Sequence, residues 1–219
     1  MKSSAYSSVL GLSASLVLLC SFVSLWRRSL LAIVRVVAIQ GIALACAALA
    51  IGVDAHDVGL IVVAALVLGA KGVVVPTLIY RVVRRDPGSR EGQPLVNVPA
   101  SLVAAGALTL LAFAASRSVT ALVPTIAGRL IPFGIAAMLV GFFALATRRK
   151  AVSQIVGLLL VDNGVALVAF LATAGVPIIV ELGASLDVLL AVVVLRVLAT
   201  QLHAHVGTLD LDQLAELHD

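Results

Sequence analysis

Residues Ala151–Thr173 read AVSQIVGLLLVDNGVALVAFLAT, and Asp162 is the one charged side chain among them. A helix needs roughly 20 apolar residues to cross about 30 Å of hydrocarbon. The stretch therefore predicts a membrane span with a carboxyl near its middle. The same texture runs through the whole chain: 62% of its 219 residues are hydrophobic and 12% are charged, with a mean hydropathy of +1.18. A soluble domain has about 45–50% apolar and about 25% charged residues. So few charges cannot cover a water-facing surface, which excludes a soluble globular enzyme. Disorder is excluded too, because it requires low hydropathy and high net charge.

Further apolar runs predict an all-α, polytopic integral membrane protein with about seven transmembrane helices in a single membrane domain spanning 1–219. The expected spans are 6–26, 30–53, 58–80, 98–115, 130–147, 151–173 and 178–201, and a polar tail follows over 203–219. The first run carries Arg27 and Arg28 after its apolar part and has no Ala-x-Ala site, so it reads as an uncleaved span rather than a signal peptide. Arg84 to Pro94 is a loop by its Pro and Gly punctuation. Pro99 suits the first turn of the fourth helix, and Pro132 stands near the start of the fifth.

Charge placement sets the expected orientation. With seven spans, Arg27, Arg28, Arg35, Arg81, Arg84, Arg85, Arg90, Arg148, Arg149 and Lys150 fall on one side, and Lys2, Arg117 and Arg129 on the other. The basic side is expected in the cytoplasm, with the N-terminus outside and the C-terminal tail inside.

The charges left within the spans are Lys71, Asp162, Glu181, Asp187 and Arg196. A charge at the bilayer centre costs about 2.5–3.5 kcal/mol even on a lenient scale, and such residues mark ion paths. Asp162 sits in Gly157-Leu-Leu-Leu-Val-Asp-Asn163-Gly164, with a polar neighbour in Asn163 and glycines that allow close helix approach. A desolvated carboxyl there is competent to exchange a proton near neutral pH. The alternative is an inter-helix hydrogen bond or a pair with Lys71. Lys71 lies mid-span between Gly69 and Gly72, too deep to reach a headgroup, so it needs a carboxylate or must lose its proton. It fits a proton relay, and a static ion pair is the alternative. Asp187 and Arg196 stand on opposite faces of one predicted helix, so each needs a partner elsewhere. Arg196 near the cytoplasmic end can snorkel, and Glu181 near the outer end is either interfacial or part of the path.

Other chemistry finds no support. Cys20 and Cys46 lie in apolar runs, no Cys/His spacing suits a metal or iron–sulfur site, and His203 and His205 read as an interfacial terminus. The net charge of +4 is explained by topology, and 4% aromatic residues give no base-stacking surface, so no nucleic-acid partner is expected. There is no nucleophile–base pair, phosphate loop or cofactor motif, and neither cofactor nor catalysis is assigned to this chain.

Several stretches resemble hydrogenase-4 component E, a membrane subunit of formate-hydrogenlyase-type complexes. They are Arg148-Arg-Lys-Ala-Val-Ser-Gln-Ile-Val-Gly-Leu-Leu-Leu-Val-Asp-Asn163, Val180-Glu-Leu-Gly-Ala-Ser-Leu-Asp187, Lys71-Gly-Val-Val-Val-Pro76, Leu95-Val-Asn-Val-Pro99 and the tail Leu209–Leu217. The last three predicted spans also resemble the K subunit of complex I and the C subunit of multisubunit cation antiporters. In the K subunit, a glutamate in each of the last two helices belongs to the proton path. Asp187 matches the second. The register puts Leu159 at the first, with Asp162 one turn on, and within the component E pattern Asp162 stands at the usual acid.

The resemblance implies a non-catalytic membrane subunit of a hydrogenase-like or complex-I-like oxidoreductase in the inner (plasma) membrane. Asp162, Asp187, Lys71 and Glu181 would contribute to proton translocation or coupling, and Asn163 and Arg196 would serve structural or interfacial roles. The implied partners are antiporter-like large subunits, a complex-I-like membrane anchor and, indirectly, soluble hydrogenase-type subunits that would hold the clusters and the metal site. A subunit of a cation/proton antiporter or ion-coupled uptake assembly, and a structural scaffold, are the alternatives.

Overall fold

A computed structural model describes residues 3–27, 29–85, 96–148 and 151–173, and its regular elements are helices. They are α1 (Ser3–Trp26), α2 (Leu30–Ala55), α3 (Val58–Val67), a π-helical segment (Leu68–Val74), α4 (Val75–Arg85), α5 (Val98–Ala115), α6 (Arg117–Leu122), a 3₁₀ turn (Gly128–Leu130), α7 (Ile131–Thr147) and α8 (Ala151–Thr173). Six stretches are long and apolar enough to cross a membrane: Ser4–Trp26, Leu30–Ala55, Val58–Arg81, Val98–Leu122, Gly128–Thr147 and Ser153–Ala172. They coincide with the first six expected spans, the fourth continuing through α6. The expected seventh span over 178–201 and the tail over 203–219 lie outside the described residues.

Local sequence explains the ends. α2 closes on His56, whose left-handed backbone (φ 55°) lets Asp57 N–H reach Gly52 O at 2.9 Å and His56 N–H reach Val53 O. This is a Schellman closure with His in the place glycine usually takes. Asp57 then caps α3, accepting from Leu60 N–H at 3.2 Å. Asn97 caps α5 in the same way, accepting from Ala100 N–H at 3.1 Å, and Pro99 and Pro132 occupy first turns, where a missing N–H costs nothing.

The third span is not a plain α-helix. Pro76 has no N–H to offer Gly72 O, and its ring crowds that carbonyl. Ahead of it the ladder widens, with Val75 N–H bonding Ala70 O five residues back. The Thr77 hydroxyl donates to Val73 O at 2.6 Å, a usual way to satisfy backbone near a membrane proline. Lys71 sits at the middle of this π segment.

Lipid tails are as apolar as leucine, so close packing and interhelical hydrogen bonds must hold such helices together. Glycines supply the close packing between α7 and α8. A Cβ on Gly141 would stand 2.6 Å from Val161 N, one on Gly157 2.7 Å from Leu145 Cα, and one on Gly164 2.5 Å from Met138 N. Gly134 faces the Val168 side chain at 2.7 Å in the same sense. The glycines recur every seven residues on each helix, so they stay on one face and the two backbones touch along it. A T-shaped ring contact between Phe113 and Phe133, with centroids 5.2 Å apart, ties α5 to α7.

α2 is the centre of the bundle and packs on α1, α3, the π segment, α4 and α8. Its apolar stretch is 67% buried, against 17% for the α5–α6 stretch, where Val103, Leu110 and Leu122 stand exposed as lipid-facing residues do. The core divides into two apolar clusters. One gathers Leu10, Leu44, Ile51, Leu60, Ile131 and Leu171, and the other Leu25, Ile33, Ile79, Val140, Leu159 and Leu160. On α2 the first cluster begins at Ala43 and the second ends at Val37; on α8 the second ends at Leu160 and the first begins at Leu167. Between them, at mid-height, lies a polar layer.

Candidate functional site

The polar layer draws on four spans. The π segment brings Lys71 and α8 brings Asp162, and the two meet with Nζ 2.6 Å from Oδ2. Both side chains are nearly buried, at 9% and 11% exposure. Each neutralises a charge that would be costly alone in hydrocarbon. The sequence thus supplied both members, and the fold pairs them. Such a pair can pass a proton from nitrogen to oxygen with no change in its net charge.

Asn163, the next residue of α8, is 2% exposed and donates from Nδ2 to Gln40 Oε1 at 2.9 Å. Gln40 on α2 is fully buried, and its Nε2 donates to Val17 O at 2.9 Å and Ser21 Oγ at 3.0 Å on α1. Its amide is fully used: both hydrogens point to α1 and the oxygen to α8. The following residue, Gly41, carries no side chain where the Lys71 backbone passes; a Cβ there would stand 2.6 Å from Lys71 O. The Gln40–Gly41 step of α2 therefore holds α8 by a hydrogen bond on one side and seats the π segment by direct backbone contact on the other.

Sequence reasoning passed over Gln40 because it started from the charges and took in only Asn163, the amide next to one of them. The available signal was an amide in the middle of the apolar Leu30–Val53 run, flanked by Ile39 and Gly41. Leu159, at the glutamate register of the K subunit, is 5% exposed and belongs to the apolar cluster, whereas Asp162 one turn on reaches Lys71. Arg148 was counted with the loop cations, yet its side chain is 7% exposed and Nη2 donates to Ser24 O in the last turn of α1 at 2.8 Å. A cation at a helix C-terminus satisfies carbonyls that the helix leaves open. Glu181, Asp187 and Arg196 lie outside the described residues. Among the described residues no group of His, Cys, Asp and Glu could hold a metal ion, and Cys20 and Cys46 are free thiols.

No family profile matches the chain, and no solved structure matches it. Hydrogenase-4 component E of Escherichia coli strain K12 is 35% identical over 79 residues, an alignment covering 36% of this chain and 37% of that protein. The component E of Shigella flexneri gives the same match. This is a distant, partial relationship to a membrane component. The uncharacterized protein Rv0085 of Mycobacterium tuberculosis is 44% identical over 220 residues, covering 100% of both chains. The chain is a multi-pass membrane protein and belongs to the family of Rv0085.

Proposed function

We propose that this protein is a non-catalytic membrane subunit of a complex-I-like or hydrogenase-like assembly, and that the Lys71–Asp162 pair is a proton-exchanging station within it. The observation that carries the reading is the pair itself: a lysine and an aspartate 2.6 Å apart, nearly buried, between two apolar clusters. The partial similarity to hydrogenase-4 component E supports membrane partners of that kind. In this reading Asp187 and Glu181 continue the path in a seventh span, and Arg196 anchors that span at the interface. The N-terminus is outside, the C-terminal tail is cytoplasmic, and the assembly sits in the inner membrane with antiporter-like large subunits.

Charge balance gives the cycle its form. Protonation of the Asp162 carboxylate removes the negative charge that Lys71 faces, and Nζ passes one proton on in turn. Transfer from the neutral acid to the neutral amine then restores the pair, with one proton moved. The test is proton-coupled turnover of the purified native assembly in proteoliposomes carrying Asp162→Asn or Asp187→Asn. The expected result is intact assembly with impaired coupling; normal coupling in both variants sinks the reading. A cation/proton antiporter shares these residues and differs in its neighbours, so the subunits that co-purify with the chain distinguish it.

A further inference from the structure

α2 is the most deeply packed span of the bundle, yet one seam of it is exposed. Arg35, Ile39, Ile42, Cys46, Leu49 and Val53 form this seam, and its four large apolar members are between 38% and 45% exposed. Their alternating spacing of four and three residues keeps them in one line along the helix. Both borders of the line are closed. On one, Gly41 and Gly52 lie against the third span, and a Cβ on Gly72 would stand 3.2 Å from the Ile42 side chain. On the other, Ala43 and Ala50 are buried. α1, α8 and the third span cover the rest of α2, so among the described residues the seam is a narrow apolar groove open to the membrane.

Arg35 closes one end of the groove, and no further charge occurs on α2 until Asp54. The Arg35 end is a basic end of the bundle: Arg27 follows α1, Arg81 stands in α4, and both are exposed. Trp26, the neighbour of Arg27, is 65% exposed, as a residue of the headgroup belt is. From Ile39 to Leu49 α2 rises about 15 Å, half of the roughly 30 Å of hydrocarbon and so the depth of one leaflet. A guanidinium above a leaflet-deep apolar groove is the complement of a phosphate above an acyl chain. A transmembrane helix fits it less well. Helices approach closely in lipid over small residues, as α7 and α8 do over their glycines, whereas Ile39, Ile42, Leu49 and Val53 line this groove.

We propose that the α2 groove is a binding site for one anionic phospholipid of the leaflet at the basic end. The headgroup phosphate accepts hydrogen bonds from the Arg35 guanidinium, and one acyl chain lies along Ile39, Ile42, Cys46 and Leu49. Arg27 and Arg81 add positive charge at headgroup level. The lipid also buttresses the contact between α2 and the π segment, because Ile42 meets Gly72, the residue after Lys71. The site stands whether or not Lys71 and Asp162 exchange protons.

The full chain has one tryptophan, so Trp26→Phe gives a dark background. In that background Ile42→Trp reports on the groove, and Val103→Trp reports on the open face of α5, where Val103 is 73% exposed. Each variant is placed in vesicles containing chain-brominated phosphatidylglycerol or chain-brominated phosphatidylcholine, and fluorescence quenching gives the relative affinity for the two headgroups. At Ile42→Trp the phosphatidylglycerol is expected to bind about fivefold more tightly, the equivalent of about 1 kcal/mol for one cation near an anionic headgroup. Val103→Trp should show no preference, and Arg35→Gln should abolish the preference at Ile42→Trp. Equal affinities at Ile42→Trp, an equal preference at Val103→Trp, or a preference that survives Arg35→Gln each overturn the site. Absence of quenching by either lipid at Ile42→Trp overturns it too, since a protein segment then fills the groove. Native mass spectrometry of the unaltered chain, from mixed micelles of the same two lipids, makes the check without a tryptophan. Selective retention of phosphatidylglycerol that Arg35→Gln abolishes supports the site, and equal retention of both lipids overturns it.

Discussion

A Cβ on Gly41 of α2 would stand 2.6 Å from the carbonyl oxygen of Lys71 and 2.9 Å from its Cβ, so the π segment rests directly on the α2 backbone. The obstructing atoms are backbone, which cannot swing aside as a long side chain can. Gly41→Ala must push the π segment outward, and Lys71 moves with it. The expected cost is about 1–3 kcal/mol, the usual penalty for overpacking, read from unfolding in mixed micelles. The matching expectation is a weakened contact between Lys71 and Asp162, followed by distance-sensitive NMR between Nζ and the carboxyl carbon.

Breaking the charge pair from one side leaves the other charge buried. Lys71→Met or Asp162→Leu alone is expected to destabilise by about 3–5 kcal/mol, whereas the double replacement regains most of the loss because neither charge is left behind. Folding and coupling then separate. The double variant should assemble and unfold near the normal denaturant concentration, and still fail to couple protons.

Gln40 and Asn163 hold each other through one hydrogen bond of 2.9 Å. Gln40→Leu strands the Asn163 amide, and a loss of about 1–3 kcal/mol is expected. Adding Asn163→Leu removes the stranded partner. A double-mutant cycle should return a coupling of about 0.6 kcal/mol and at most about 1.7, the range found for interhelical bonds in membranes. A coupling of zero would mean that the bond does not tie α2 to α8.

Gly164 lies against Met138, with a would-be Cβ 2.5 Å from its backbone nitrogen. Gly164→Leu cannot be absorbed without separating α7 from α8. It should reduce stability more than Gly11→Leu, where nothing stands within 4 Å. Thermal unfolding of the two variants in one detergent gives the comparison.

Much of this architecture was legible in the order of residues. Six of the expected spans appear as helices, because a run of apolar side chains in lipid has no stable alternative to internal hydrogen bonding. Pro99 and Pro132 mark helix starts by chemistry that acts within one turn. The same locality explains why Lys71 and Asp162 stood out: a charge in an apolar run is visible without knowing what lies beside it.

What lay beside them was decided by the tertiary structure. Lys71 and Asp162 are 91 positions apart by their numbers, and no local spacing relates them. Pro76 was plain to see, yet its effect, a π segment centred on Lys71, depends on how the ladder ahead of it settles against Gly41. Gln40 and Ser21 became part of the layer only when α1, α2 and α8 came together at one height. Arg148 is basic wherever it stands, but the open carbonyl of Ser24 determined that it turns inward. Apolar length and helix-end chemistry are properties of one segment, so the sequence by itself determined a multi-pass helical chain with rare charges in its spans. Pairing, burial and hydrogen-bond direction are properties of several segments at once, so only the packed bundle decided which of those charges share a site.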